Sequence, residues 1–428
     1  MKRVVSWCID EVKDIFTLNF WIPRGDKLLW IAILFLALFS LVFIYSSTGN
    51  LAIRKNDGVL SYYFWQQILF LALGYFVIMF VQRKSCYAII DWVPYLMVIP
   101  IILMAISGGR WLTILPGLTI QPSELVKLTT VMFMARDISY HQDASGYNFS
   151  WKRMWLPGVA IILIFANNIS TAILLSVTCF IMVCVGRLPW KKILLVITCV
   201  GALGAVTVPT LLSIPQEHVN KLSKVPILDR VPTLRARLDR YFHPIPRSEM
   251  SSAEIRDNQA MMAEITISSG GPSGRGPGNS TQGIRLPEVF SDYMFAIIVE
   301  EAGWLGMFFV MACYTAVLIA AFRIMFRCKS LFLGLMVMGM VTCLLLQALI
   351  HMLVSVGIFP VTGQTLPMLS KGGTSTIIVC LEFGIMLSVS NTIQKEEEQK
   401  LRQEEELARQ QMAVQESVES NESGVSES

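Results

Sequence analysis

What most constrains this chain is the recurrence of apolar runs long enough to cross about 30 Å of hydrocarbon. They start near Leu28, Phe64, Ala88, Trp155, Ile169, Ile193, Trp304, Leu331 and Thr374. A shorter run follows Ser123 and is interrupted by Glu124 and Lys127. Composition points the same way: 54% of residues are hydrophobic and 15% charged, against about 25% charged in a soluble protein. The mean hydropathy is +0.56. The expected fold is an all-α polytopic membrane protein with about ten transmembrane helices.

Lysine and arginine in the short loops set the orientation, since the positive-inside bias is counted there. With the N-terminus inside, about 20 basic residues fall on the inner side. The short outer loops hold only Arg54, Lys55, Arg110 and Lys371. Both termini are therefore expected in the cytoplasm. A large extracytoplasmic loop, residues 214–291, separates spans 7 and 8, and its arginines do not count because long loops cross regardless of charge. The net charge of +4 implies no nucleic-acid partner. None of the nine cysteines lies in an outer loop, and their spacing gives neither a disulfide framework nor a zinc site. His141, His218, His243 and His351 are scattered, so no His-ligated metal centre is expected.

Outside the membrane domain, residues 27–393, lie two ends. Residues 1–26 carry apolar side chains at helical spacing, Val5, Cys8, Ile9, Val12, Ile15 and Phe16, without the apolar core of a cleavable signal. That segment is expected to lie along the inner membrane surface. Residues 394–428 read as a solvated charged helix, or a coiled coil, ending in a disordered Ser/Glu-rich stretch. The large loop divides into a Pro/Arg-rich half and the run NQAMMAEITISSGGPSGRGPGNS. Its glycine cluster is either a flexible turn or a backbone cradle for diphosphate, with Arg275 and Arg285 beside it.

Where this loop re-enters the membrane, LPEVFSDYMFAIIVEEAGWLG places Glu288, Asp292, Glu300 and Glu301. Carboxylates there are costly, which makes them functional candidates. Asp292 precedes the helical stretch YMFAIIVEE and reads equally as its N-cap. Glu124 and Lys127 share a helical face and can neutralise each other within the bilayer or contact a ligand. The run PVTGQTLPMLSKGGTS breaks a membrane segment with Pro360, Gly363, Pro367, Gly372 and Gly373. Such backbone survives only where protein or a watery cavity satisfies it, so it is expected to line the same outer cavity as Asp292.

Four stretches taken together, in their order and spacing, resemble the SEDS family of bacterial envelope proteins, which includes FtsW, RodA and SpoVE. They are GGRWLTILPGLTIQPSELVKL, RARLDRYFHP, the run from Asn258 through Gly306, and GIFPVTGQTLPMLSKGGTS. Within the family the long charged tail and the TGQTLP…KGGTS form look most like FtsW. The resemblance implies an inverting peptidoglycan glycosyltransferase that polymerises lipid II at the outer face of the bacterial cytoplasmic membrane, releasing undecaprenyl diphosphate. It implies Asp292 as catalytic base and a class B penicillin-binding protein as transpeptidase partner, with other division proteins around it. Substrate contacts would come from Arg110, Trp111, Glu124, Lys127, Arg275, Arg285, Lys371 and Thr374. Trp111 could equally be an interfacial anchor. A divalent cation, Mg or Mn, would sit on the substrate diphosphate, with no dedicated ligand cluster in the chain.

The sequence departs from the common family pattern in three places. Phe290, Ser291, Asp292 and Tyr293 stand where many members have His-Thr-Asp-Phe. Asn167, Asn168, Ile169, Ser170 and Thr171 replace a Gln-Pro-Asp-Leu-Gly-Thr motif, which removes a carboxylate. Lys371 stands where tyrosine is frequent. Two other readings compete. A lipid-precursor flippase could use Glu124, Lys127, Asn167, Asn168 and Glu382 as a polar path, although no inverted repeat is visible. A non-enzymatic division scaffold would work through the two ends.

Overall fold

The computed structural model describes residues 18–47, 60–107, 111–115, 118–144, 146–213, 231–242, 259–280 and 292–425. The described chain is mainly helical, with two short hairpins and the connecting segments between helices. Its helices are α1 (Lys27–Ser47), α2 (Leu60–Val81), α3 (Val93–Ser107), α4 (Pro122–Tyr140), α5 (Trp155–Asn167) and α6 (Ile169–Val185). They continue with α7 (Trp190–Ser213), α8 (Val231–Phe242), α9 (Gln259–Gly270), α10 (Met294–Arg327), α11 (Leu331–Ser355) and α12 (Thr374–Val425). The antiparallel pairs are β1 (Leu112–Leu115) with β2 (Leu118–Ile120), and β3 (Gln142–Asp143) with β4 (Gly146–Tyr147).

Among the described residues, six helical stretches are long and apolar enough to cross a membrane: Lys27–Ser46, Phe64–Val81, Cys86–Ser107, Met294–Arg327, Leu331–Ser355 and Thr374–Met412. Helices α5 and α6 are shorter apolar helices. The protein is a helical polytopic membrane protein. Burial separates inner from outer helices: 83% of the apolar window of α12 and 67% of that of α11 are enclosed, against 22% for Cys86–Ser107. Helix α4, with Val126, Val131, Ala135 and Ile138 buried, packs between α3, α6 and α11. The outer helices turn Leu34, Leu69, Ile99 and Leu305 outward. In water such a belt would drive aggregation; against lipid tails it costs nothing.

Local sequence explains where the helices break. The Asp26 carboxylate accepts the Leu29 N–H at 3.0 Å and starts α1. Asn168, extended at φ −155° and ψ 98°, ends α5 and caps α6 by accepting the Thr171 N–H at 3.4 Å. Helices α5 and α6 thus form a hairpin that returns to its starting end, since the N–H of Tyr147, before α5, reaches the carbonyl of Arg187, after α6, at 3.3 Å.

The bundle has two chemically different ends. At one, the tail end, the Gln82 side chain accepts the Arg24 N–H at 2.9 Å, Asn391 donates to the Gln82 carbonyl at 3.0 Å, and Arg327 pairs with Glu397. There too the buried Asp137 carboxylate accepts from Arg153 Nε at 2.9 Å and from the Tyr147 hydroxyl. Burial, then the hydrogen bond to Asp137, raise the Tyr147 phenol above its ordinary pKa. At the opposite, hairpin end lie β1, β2, α9 and the start of α10.

Two sequence expectations meet differences. The apolar run placed near Trp304 begins at Met294, because the segment before Trp304 is helical as well. The tail, expected to end in a disordered stretch, continues as helix to Val425; no Pro or Gly interrupts it before Gly424. Most of the N-terminal segment and most of the 214–291 loop lie outside the described residues.

Candidate active site

Asp292 stands half-buried at the hairpin end, immediately before the cap of α10. The cap position is Tyr293, at φ −132° and ψ 26°, and it makes no side-chain capping bond. From Tyr293 to Glu301 every residue is buried, enclosed by α9 and α11. Helix α10 then breaks at Gly303, whose φ of 61° and ψ of −153° suit glycine almost alone. The loop after α9 docks into this break. Its Arg275 and Gly276 N–H groups donate to the carbonyls of Glu300 and Glu301 at 2.9 and 2.8 Å, and the Trp304 N–H donates to the Pro272 carbonyl at 3.1 Å.

That docking explains the glycine cluster. A Cβ on Gly303 would lie 2.5 Å from the Gly274 nitrogen, and one on Gly274 would lie 2.3 Å from the Glu301 carbonyl. The glycines let two backbones touch, and the amides of Arg275, Gly276 and Gly278 already have protein acceptors. Glu300 and Glu301 are fully buried. Glu300 accepts from the hydroxyls of Ser269, at 3.1 Å, and Ser280; Glu301 accepts from Ser46, whose hydroxyl in turn accepts the Gly278 N–H at 3.1 Å. Both carboxylates thereby pin the loop, and Ser46 ties it to α1.

The broken segment between α11 and α12 is satisfied by protein. The Tyr314 hydroxyl donates to the Pro367 carbonyl at 2.7 Å, Gln347 donates to the Thr365 carbonyl at 3.0 Å, and Ser370 accepts the Leu366 N–H at 2.9 Å. His351 lies 2.8 Å from the Gln364 carbonyl through Nδ1 and receives the Phe295 N–H at Nε2, 3.4 Å away. This imidazole therefore joins the broken segment to the first turn of α10, one turn beyond Asp292. The Gln364 side chain donates to Thr171 at 2.8 Å, which adds the start of α6.

Deeper in the bundle, Lys127 sits 2.7 Å from Glu124 and donates to Gln347 at 2.7 Å. Glu382 of α12 lies near enough to interact electrostatically with Lys127. Lys127 is 1% exposed and Glu124 5%, so the pair neutralises itself inside the bundle and links α4 to α11. Thr374 is buried and donates to the Thr119 carbonyl at 2.7 Å, fastening β2 to α12. Lys371 is half-buried just before it, Trp111 is 42% exposed ahead of β1, and Arg275 is exposed with Nε 3.1 Å from the Ser269 carbonyl. Arg110 and Arg285 lie outside the described residues.

The hairpin end thus gathers Asp292, Trp111, Lys371, Thr374 and Arg275, while Glu124 and Lys127 are enclosed below it. Sequence reasoning passed over His351, Gln347, Gln364 and Tyr314. A signal for the first two existed: Gln347 and His351 are polar residues four apart in the otherwise apolar α11, on one helical face.

Comparison with known proteins agrees with this architecture. The Bacillus subtilis (strain 168) Stage V sporulation protein E is 28% identical over 386 residues, spanning 85% of this chain and 96% of its own. A probable peptidoglycan glycosyltransferase FtsW of Alcanivorax borkumensis is 29% identical over 385 residues, spanning 85% and 92%. Among solved structures, a chain described under structural coordination of polymerization and crosslinking by a peptidoglycan synthase complex superposes with a TM-score of 0.66. It has 20% identity and covers 86% of this chain and 97% of that one. The rod shape determining protein RodA of Thermus thermophilus gives 0.57 at 20% identity, covering 86% and 96%. At such identity these structures establish the fold alone. The FtsW/RodA/SpoVE profile, described as cell cycle protein, matches residues 26–395, and the chain belongs to that family.

Proposed function

We propose that this protein is a peptidoglycan glycosyltransferase that polymerises lipid II during cell division. Family membership over nearly the whole chain supports this reading, as do relatives named probable peptidoglycan glycosyltransferase FtsW. The chain crosses the cytoplasmic membrane ten times, through α1 to α7 and α10 to α12. Residues 214–291 lie outside, between the seventh and eighth crossings. The tail end faces the cytoplasm. In support, Arg24, Lys27, Arg83, Lys84, Arg136, Arg153, Arg187, Arg323, Arg327 and Lys329 all lie at that end. Residues 1–26 rest on the inner surface, 27–393 form the membrane domain, and 394–428 form the cytoplasmic tail.

In the reaction, the 4-hydroxyl oxygen of an acceptor GlcNAc attacks the anomeric carbon of the donor MurNAc. The Asp292 carboxylate takes the hydroxyl proton as the new bond forms. The bond from the anomeric carbon to the diphosphate oxygen breaks, its electrons stay on that oxygen, and undecaprenyl diphosphate departs with inversion. Arg110, Arg275, Arg285 and Lys371 offer positive charge to the departing diphosphate, while Trp111 and Thr374 border the sugar. Glu124 and Lys127 hold the floor of the site. Among the described residues no group of three or more His, Cys, Asp or Glu could hold a metal ion. A Mg or Mn ion would come in on the oxygens of the substrate diphosphate. The partner is a class B penicillin-binding protein that crosslinks the product strand, in keeping with the fold likeness to a peptidoglycan synthase complex.

The observation that carries this reading is the position of Asp292, half-buried at the head of a helical segment enclosed from Tyr293 to Glu301. The test is polymerisation of purified lipid II by the protein co-expressed with its transpeptidase, wild type against Asp292→Asn. Loss of the base should lower the rate by about 10²–10⁴-fold with the fold intact. Equal synthesis by both would remove Asp292 from the chemistry. Vesicle flipping of lipid II that survives in the variant, without polymerisation by either, would favour the flippase reading.

A further inference from the structure

His351 is set in an apolar helix and is 1% exposed, a position in which a histidine could be mere filling. Its two nitrogens argue otherwise. Nε2 receives a backbone N–H from Phe295, so it must carry a lone pair; Nδ1 faces the Gln364 carbonyl, so it must carry the proton. Only one neutral tautomer meets both requirements. The Phe295 N–H is a first-turn amide of α10, a group with no acceptor inside its own helix. The Ala296 and Ile297 amides already reach the Tyr293 carbonyl, at 3.0 and 3.4 Å, and Tyr293 supplies no side-chain cap. The start of α10 is thus capped from another helix by an imidazole that is itself fixed by the broken segment.

We propose that His351 is a positioning residue: it caps α10 and holds Asp292, three residues before the bonded amide, in register with the broken segment 356–373. The catalytic consequence rests on Asp292 acting as the base. A base must meet the acceptor hydroxyl within hydrogen-bond reach, and small displacements of such a group are costly to the rate. Leucine in place of His351 fills similar space but leaves the Phe295 N–H and the Gln364 carbonyl without this partner. Glutamine offers an acceptor and a donor on one side chain and can restore both bonds.

Three readouts on the full-length protein in detergent or nanodiscs test the proposal. With four histidines in the chain, ¹⁵N-histidine spectra of the wild type can resolve His351, identified by its loss in His351→Gln. The Nδ1–H tautomer is expected, and an Nε2–H tautomer overturns the proposal even if His351→Leu does not fold. Hydrogen exchange at residues 293–297 should quicken about tenfold or more in His351→Leu and stay near wild type in His351→Gln. Unchanged exchange in the leucine variant refutes the cap. In lipid II polymerisation, His351→Leu should lower kcat about ten- to a hundred-fold with little change in KM, and His351→Gln should recover most of it. A leucine variant with wild-type kcat overturns the positioning role. Absence of polymerisation by the wild type sinks the polymerase reading instead, while tautomer and exchange still decide whether His351 caps α10.

Discussion

Buried charge in this bundle survives only in company. Lys127 has Glu124 at 2.7 Å, Gln347 at 2.7 Å, and Glu382 within electrostatic range. Removing one partner of such a group leaves the others charged in a medium that cannot solvate them. Lys127→Met should therefore destabilise the protein by about 3–5 kcal/mol, read as a fall in the thermal unfolding midpoint in detergent. Adding Glu124→Gln should recover much of that loss, and a double variant no better than the single would contradict the pairing. The contact between Glu124 and Lys127 was legible in the sequence, because three residues along a helix is one face. Gln347 and Glu382 were not legible as its neighbours, since they are more than two hundred residues away in the chain.

At the scale of elements, the recurring device is a helix broken and then repaired by a neighbour. Gly303 breaks α10 and the loop 271–280 repairs it; the segment 356–373 breaks between α11 and α12, and Tyr314, Gln347 and His351 repair it. Gly303→Ala would place a Cβ 2.5 Å from backbone of Gly274 and Pro272. With the left-handed backbone strain alone worth about 1–3 kcal/mol, the loop should detach, seen as new proteolysis or faster hydrogen exchange at 271–280. Tyr314→Phe deletes the donor to the buried Pro367 carbonyl and should cost about 1–3 kcal/mol, again read from the unfolding midpoint. The sequence marked the second break openly with Pro360, Gly363 and Pro367. It hid the first, because Gly303 stands alone between the helical stretch YMFAIIVEE and the apolar run from Trp304, with no proline or second glycine beside it before Gly306.

On the scale of the whole molecule, the tail helix runs out beyond the packed bundle. The tail helix is exposed from Glu398 to Met412, beyond the Arg327–Glu397 pair that ties it to the bundle. Truncation after Glu397 should leave the unfolding midpoint within about a degree and, if the protein is an enzyme, leave polymerisation intact; loss of division function alone would expose a scaffold role for the tail. The sequence by itself determined the class of fold and located the six long apolar helices, because hydrocarbon thickness acts on each segment separately. It could not determine which helices are central. A membrane helix such as α1 or α3 is apolar all round, so no amphipathic stripe says which face meets protein and which meets lipid. Only the tertiary structure decided that α4, α11 and α12 form the interior, that the glycine-rich loop closes a helix break, and that a histidine of α11 caps α10. Those outcomes depend on groups far apart in sequence satisfying one another's hydrogen bonds where no water can.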